Sequence, residues 1–316
     1  MLVSKRFLMS KISIVIPCYY NEENIPVTAA RLIENETLFA QDVSFEYVLV
    51  DDGSKDGTLE QLKLFKQKYP EKVTIVKLTG NFGSYNAIYA GLQHATGDCT
   101  VVISADLQDP PELIVKMHEY WSNGVKVVLA NREKRDDGFI TSLFAESYHR
   151  IIRKYALPNL PNGGFDFCLF DRQARENILD NMQTNTNSLF LLLWLKYDYV
   201  TIPYERSKRE IGKSMWTMSK KIKFFTDSFF SFSYTPIRLV SVFGIILSFV
   251  AGAYAILIIG LRLAGQIELT GWTAMMIVLL FLSAFQMVAI GILGEYLWRS
   301  LEASRKRPPY VIDEVY

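Results

Sequence analysis

Two apolar stretches near the carboxyl end constrain this chain more than any other feature. Residues 239–261 contain no charge, and residues 273–297 are interrupted only by Gln286 and Glu295. A helix needs roughly 20 apolar residues to cross a bilayer, so each run is long enough to span one. A soluble core helix is rarely apolar on every side over such a length. The connector, residues 262–271, is too short to be a domain, which predicts a hairpin with both outer ends on one side. Lys220, Lys221, Lys223 and Arg238 precede the pair, and Arg299, Arg305, Lys306 and Arg307 follow it; the connector holds only Arg262. Positive charge favours the cytoplasmic side, so both termini and the N-terminal domain are expected there, in a multi-pass membrane protein. Glu295 lies near a helix end and reaches interfacial water. Gln286 is deeper and is expected to hydrogen-bond within the hairpin or to another subunit. Gly244, Gly252, Gly291 and Gly294 allow close helix approach, so a homo-oligomer is one expected partner state.

Just ahead of the hairpin, residues 216–235 mix lysines with Trp216, Phe224, Phe225, Phe229, Phe230 and Phe232. That mixture fits helices lying in the lipid headgroup plane, and it also fits an ordinary amphipathic packing helix. The chain has 316 residues and a net charge of +1, a balance that gives no reason to expect a nucleic-acid partner. Cys18, Cys99 and Cys168 are odd in number and far apart, which reads as small core residues in a reducing compartment. The opening MLVSKRFLMSKISIVIP lacks a long apolar run before a small-residue cleavage site, so a cytosolic N-terminal part is expected.

The first two thirds alternate short apolar runs with helical patterns. Strands are expected at 12–17, 45–51, 73–78, 99–104 and 125–130, and helices at 22–35, 57–69, 84–95 and 111–122. This alternation predicts an α/β domain with a mainly parallel sheet covered on both faces. Ligands of such sheets bind at the carboxyl ends of the strands, where every polar cluster of this chain falls. No GxGxxG and no GxxxxGK[ST] follows a strand, which argues against a dinucleotide oxidoreductase and a P-loop nucleotidase.

In Ile16–Glu23, IPCYYNEE, Tyr19 offers a flat ring for a base and Glu22 an acceptor for a ribose hydroxyl or base N–H. Asn21 equally reads as a helix cap. In Val50–Thr58, VDDGSKDGT, Asp and Gly favour a turn. Turn chemistry does not account for the adjacent carboxylates Asp51 and Asp52, which repel each other but suit a uracil N–H or sugar hydroxyls. In Ser104–Glu112, SADLQDPPE, Asp106 and Gln108 are two apart on an extended segment and point to one side. Two oxygen ligands there suit a hard divalent cation bridging a diphosphate. Asp109 precedes two prolines and doubles as a helix start.

These three clusters in this order resemble family-2 glycosyltransferases with the GT-A fold. Within that family the chain is similar to the polyprenyl-phosphate glycosyltransferases, the group of dolichol-phosphate mannose synthase and the bacterial bactoprenol glucosyltransferases, two C-terminal helices included. The resemblance implies that Pro17, Tyr19, Glu22 and Asp52, with Asp51, hold the nucleoside. It implies that Asp106 and Gln108 hold Mg2+ or Mn2+, and a donor loop containing Asn81 and Gly83. Arg132 and Arg135 match paired bases that contact phosphates. Asp166, in FDFCLFDR, falls on the usual catalytic aspartate. Arg209 and Ser214 match an RxxGxSK segment that meets the lipid phosphate. Asp171 flanks the same apolar strand as Asp166 and also reads as a helix cap.

The chain departs from the pattern at Ser104, where the family often has Asp, at Phe165 and Cys168 for Gly and Arg, and at Met215 for Lys. The expected organisation is a Rossmann-like GT-A domain at 1–215, juxtamembrane amphipathic helices at 216–235, two membrane helices within 236–298, and a cytoplasmic tail at 299–316. The expected activity is inverting transfer of a single sugar from a UDP-sugar, UDP-glucose first and UDP-N-acetylglucosamine next, to undecaprenyl or another polyprenyl phosphate at a lipid bilayer. The rival readings are a catalytically weak sugar-nucleotide-binding membrane scaffold and a transferase acting on another lipid.

Overall fold

The computed structural model describes residues 10–106, 108–132, 139–206, 218–265 and 271–316. Packing divides the chain into two units, Met1–Ser231 with Pro308–Tyr316, and Phe232–Arg307.

The first unit opens with β1 (Ser10–Cys18), α1 (Ile25–Glu36), β2 (Val43–Asp51), α2 (Thr58–Lys68), β3 (Val73–Leu78) and α3 (Ser84–His94). It continues with β4 (Cys99–Val102), α4 (Leu113–Ser122), β5 (Val127–Arg132), α5 (Phe139–Tyr155), β6 (Cys168–Asp171) and α6 (Arg172–Asn181). Next come α7 (Phe190–Trp194), β7 (Tyr199–Tyr204) and α8 (Met218–Phe232). After the second unit, formed by α9 (Thr235–Leu263) and α10 (Trp272–Arg305), the chain closes on β8 (Ile312–Val315).

One eight-stranded sheet has the order β7-β5-β6-β4-β1-β2-β3-β8. The middle strands β4, β1, β2 and β3 run parallel, and β5 and β7 are parallel to each other. Ile12, Ile14, Val15 and Ile16 of β1 are buried on both faces, as expected of a central strand covered by helices on each side. β6 lies antiparallel between β4 and β5, with Val101 beside Leu169 and Leu129 beside Cys168. That insertion sets β5 one strand away from β4 and brings the segment just before β6 alongside the end of β5.

The five strands expected from alternation are present, displaced by only a few residues at their ends. The tail differs more. Residues 312–315, expected as part of a tail, pair antiparallel with β3. Thr79 donates its N–H to Val311 at 3.0 Å and Lys77 pairs with Asp313 at 2.5 Å. Lys63 Nζ lies 4.1 Å from the centre of the Tyr316 ring, a cation–π contact that closes this edge of the sheet.

All three cysteines are free and buried, in keeping with core packing. Asp171 caps α6, accepting from Ala174 N at 2.7 Å. Asn21 is no helix cap. Its side-chain oxygen accepts from Tyr19 N at 2.8 Å, and α1 begins only at Ile25.

In the second unit, Thr235–Leu261 and Met275–Arg305 are long and apolar enough to cross a membrane. The Phe243 and Phe285 rings meet at 4.7 Å between the two helices, and Tyr296 donates to Ser233 O at 2.7 Å. Glu295 pairs with Arg299 one turn later at 2.9 Å, so its charge is matched within its own helix.

Candidate active site

At the carboxyl ends of β1, β2 and β4 lies a cleft of about 640 Å³. Of the site residues expected from the sequence, Pro17, Tyr19, Asp52, Asn81, Gly83, Asp106 and Asp166 line it.

Asp52 is the best-anchored of these. It is 2% exposed and accepts from Phe82 N at 2.7 Å and Gly83 N at 2.9 Å. One carboxylate therefore ties the turn after β2 to the turn after β3 and shapes one wall of the cleft. Its neighbour has a different partner. Asp51 is absent from the cleft lining; its Oδ1 accepts from Ser54 N at 3.1 Å and closes the turn. Burial pushes the Asp51 carboxyl above its ordinary value. The mutual repulsion of adjacent carboxylates is relieved because they point to different partners.

Gly53 makes this arrangement possible. Its φ is +70°, and a Cβ there would stand 2.4 Å from the Gly80 carbonyl carbon. Gly53→Ala is expected to combine backbone strain of about 1–3 kcal/mol with displacement of Gly80 and Asn81. Thermal unfolding should move down by about 2–4 °C per kcal/mol, with a parallel loss of nucleotide affinity by calorimetry. Unchanged values of both would show that the two turns are not coupled.

Glu22 lies outside the cleft lining. Its Oε2 accepts from Gly57 N at 2.9 Å, at the N-terminus of α2. A carboxylate at that position satisfies a free helical N–H and complements the helix dipole.

Asp106 lies beside Ser104 and Asp109. The Ser104 hydroxyl is 2.8 Å from Asp106 Oδ1 and 2.8 Å from Asp109 Oδ2. Having one proton, it serves one carboxylate at a time. Gln108 N donates to Asp106 Oδ1 at 3.3 Å. Asp109 is not a helix cap: it is fully buried, and α4 begins beyond Glu112. The Tyr204 hydroxyl donates to it at 2.5 Å, and Arg206 Nε lies 3.5 Å away. Among the described residues no group of three or more His, Cys, Asp or Glu is disposed to hold a metal. The carboxylate of Asp106, the amide of Gln108 and the Ser104 hydroxyl are oxygen donors, a donor set that fits a hard divalent cation.

Asp166 forms an ion pair with Arg132, whose Nη2 lies 2.7 Å from Oδ2. Arg132 Nε donates to the Tyr204 hydroxyl at 3.3 Å, so Asp166, Arg132, Tyr204, Asp109, Ser104 and Asp106 form one continuous polar chain. Burial opposes the Arg132 charge, but Asp166, Tyr204 and Asp109 outweigh it and raise the guanidinium above its ordinary value. The Tyr85 hydroxyl donates to Asp166 Oδ1 at 3.5 Å; burial and then the Asp166 charge keep it protonated. Cys168 is fully buried in β6 and takes no part in the cleft lining.

Arg135, Arg209 and Ser214, together with Met215 and Trp216, lie outside the described residues. The cleft also contains residues that the sequence does not assign to it: Tyr85, Asn187, Arg206, Lys223 and Asp227. Part of the aromatic face of α8 packs on protein. Phe224 stacks on Tyr85 at 5.5 Å and leans on Tyr148 at 5.6 Å, and Phe225 meets Tyr148 edge-on at 5.9 Å. The lysine-and-phenylalanine composition of this segment had signalled an amphipathic helix without indicating what its rings would meet.

The model of glycosyl transferase family 2 matches residues 13–179. An uncharacterized glycosyltransferase of Synechocystis sp. is 33% identical over 307 residues, covering 97% of this chain and 96% of the relative. The bactoprenol glucosyl transferase of Shigella phage SfX is 34% identical over 306 residues, covering 96% of this chain and 98% of its own. Among solved structures, a mannosyltransferase from Pyrobaculum calidifontis in complex with GDP-Man and Mn2+ aligns over 89% of this chain and 86% of its own, at 19% identity and a TM-score of 0.45.

Proposed function

The chain belongs to glycosyl transferase family 2, and from that premise we propose that it moves one sugar from a UDP-sugar to the phosphate of a polyprenyl lipid at the cytoplasmic face of a membrane. The observation that carries this reading is a single cleft lined by Tyr19, Asp52, Asp106 and Asp166, in a chain that also has two helices long and apolar enough to span a bilayer. Similarity over nearly the full length of a bactoprenol glucosyl transferase supports a polyprenyl phosphate as acceptor and glucose as the first sugar to try, with N-acetylglucosamine next. The bases flanking the apolar helices support the cytoplasmic orientation.

In this reading Tyr19 stacks on the base and Asp52 holds the loop of Asn81 and Gly83 against the donor. Asp106, with Gln108 beside it, would hold a divalent cation, which would supply positive charge opposite the nucleoside diphosphate. Asp166, steered by Arg132, orients the acceptor for attack on the anomeric carbon with inversion. A phosphate monoester has a second pKa near 6, so at neutral pH the acceptor is mostly a dianion and needs little help from a base.

The test offers radiolabelled UDP-glucose and UDP-N-acetylglucosamine separately to purified protein with undecaprenyl phosphate and Mg2+ or Mn2+. Label should enter the organic phase with one donor and disappear on chelation. UDP binding without lipid product from either donor would overturn the reading in favour of a nucleotide-binding scaffold or another acceptor.

A further inference from the structure

The loop between α6 and α7 presents a donor group to the cleft that the donor-binding residues leave unused. Asn187 is 4% exposed and lines the cleft. Its Oδ1 accepts from Leu189 N at 2.9 Å and from Phe190 N at 3.3 Å, which fixes the orientation of the amide. Only an oxygen can face two backbone N–H groups, so the NH2 end is directed the other way. There it faces the Tyr85 hydroxyl, and Nδ2 has no hydrogen-bond partner at bonding geometry. A buried amide donor left in this state is unfavourable, so its presence at the cleft points to a ligand oxygen.

The loop is held in place on two sides. Ser188 Oγ donates to Tyr85 O at 3.2 Å, and Ser231 Oγ of α8 donates to Asn185 O at 3.2 Å. Helix α8 contributes Lys223 to the same cleft. Asp227 lies one turn further along the same face, at the spacing where opposite charges offset one another. Helix α8 ends at Phe232, and the apolar helix α9 begins at Thr235, so this wall of the cleft belongs to the segment that leads into the first candidate span.

We propose that Asn187 and Lys223 form the subsite for the phosphate head of the lipid acceptor; this rests on the functional reading above. An amide N–H and an ammonium are both donors to a phosphate oxygen, and the contact from the lysine is charge-assisted. The adjoining Tyr85 hydroxyl and Asp166 place that oxygen next to the residue assigned to orient it. The donor nucleotide occupies the other part of the cleft, around Tyr19 and Asp52, so the two substrates meet between these walls.

The experiment measures the KM for undecaprenyl phosphate at saturating donor, and the UDP dissociation constant by calorimetry, on the full-length protein in detergent. Asn187→Asp keeps an oxygen for Leu189 and Phe190 but turns a carboxylate toward the phosphate. Lys223→Ala removes the charge, and Lys223→Arg keeps it. The acceptor KM should rise at least about tenfold in Asn187→Asp and Lys223→Ala, and recover in Lys223→Arg, with UDP affinity within about twofold of wild type. An unchanged acceptor KM, or UDP affinity falling in step with it, would overturn the assignment while leaving the functional reading intact. Wild-type protein that labels no lipid would overturn the functional reading and this assignment with it.

Discussion

Asp166→Asn is expected to lower turnover about 100-fold or more, with UDP affinity within about twofold of wild type. The carboxylate is held by Arg132 at 2.7 Å and approached by Tyr85 at 3.5 Å, so the amide would keep the volume but lose the ion pair. Arg132 is 12% exposed at its side chain, and its unmatched charge would seek another anion, Asp109 through Tyr204 or the donor diphosphate. The pH profile separates two roles. If Asp166 orients the acceptor, activity in the variant still declines below about pH 6, where the lipid phosphate takes up its second proton. Loss of that shoulder in the variant would assign it to the aspartate and make Asp166 a base. Wild-type turnover in Asp166→Asn would remove it from the mechanism.

Asp52→Ala is expected to abolish most nucleotide binding, raising the UDP dissociation constant about 10- to 100-fold. Two N–H groups, those of Phe82 and Gly83, lose their acceptor at once. Each costs about 1–3 kcal/mol if it stays buried, so the loop of Asn81 and Gly83 should rearrange instead and take the cleft wall with it. Asp52→Asn is no rescue, because Phe82 and Gly83 donate to different oxygens of the carboxylate and the amide puts an NH2 in place of one of them. Asp51→Asn provides the contrast. Asp51 serves the Ser54 turn, so the substitution should leave UDP affinity near wild type. Equal effects at 51 and 52 would mean that the two carboxylates act as a unit on the nucleotide.

These adjacent aspartates show where sequence reading succeeds and where it stops. Alternating apolar runs and turn residues located the end of β2 and identified an unusual pair of charges there. Which of the two faces the cleft depends on Phe82 and Gly83, whose positions are set by the packing of β3 against β2. Glu22 and Asp109 illustrate the same limit. Both stand in motif-like segments, yet Glu22 serves the N-terminus of α2, and Asp109 is fixed by Tyr204, 95 residues away. Asn187 belonged to no pattern at all; its significance comes from two backbone N–H groups that fix its oxygen and a cleft on its other side.

The sequence by itself determined the elements whose causes are local. Residue alternation set β1 to β5 and the helices between them, the position of polar clusters just after strands pointed to the carboxyl-end cleft, and the length and uniform apolarity of two runs set α9 and α10. Only the tertiary structure decided what depends on strand order: β6 reversed between β4 and β5, which joins Asp166 to Arg132, and residues 312–315 added as β8 beside β3. Periodicity records which face of an element is buried. It does not record which distant element covers that face, because that choice is made by packing the whole sheet at once.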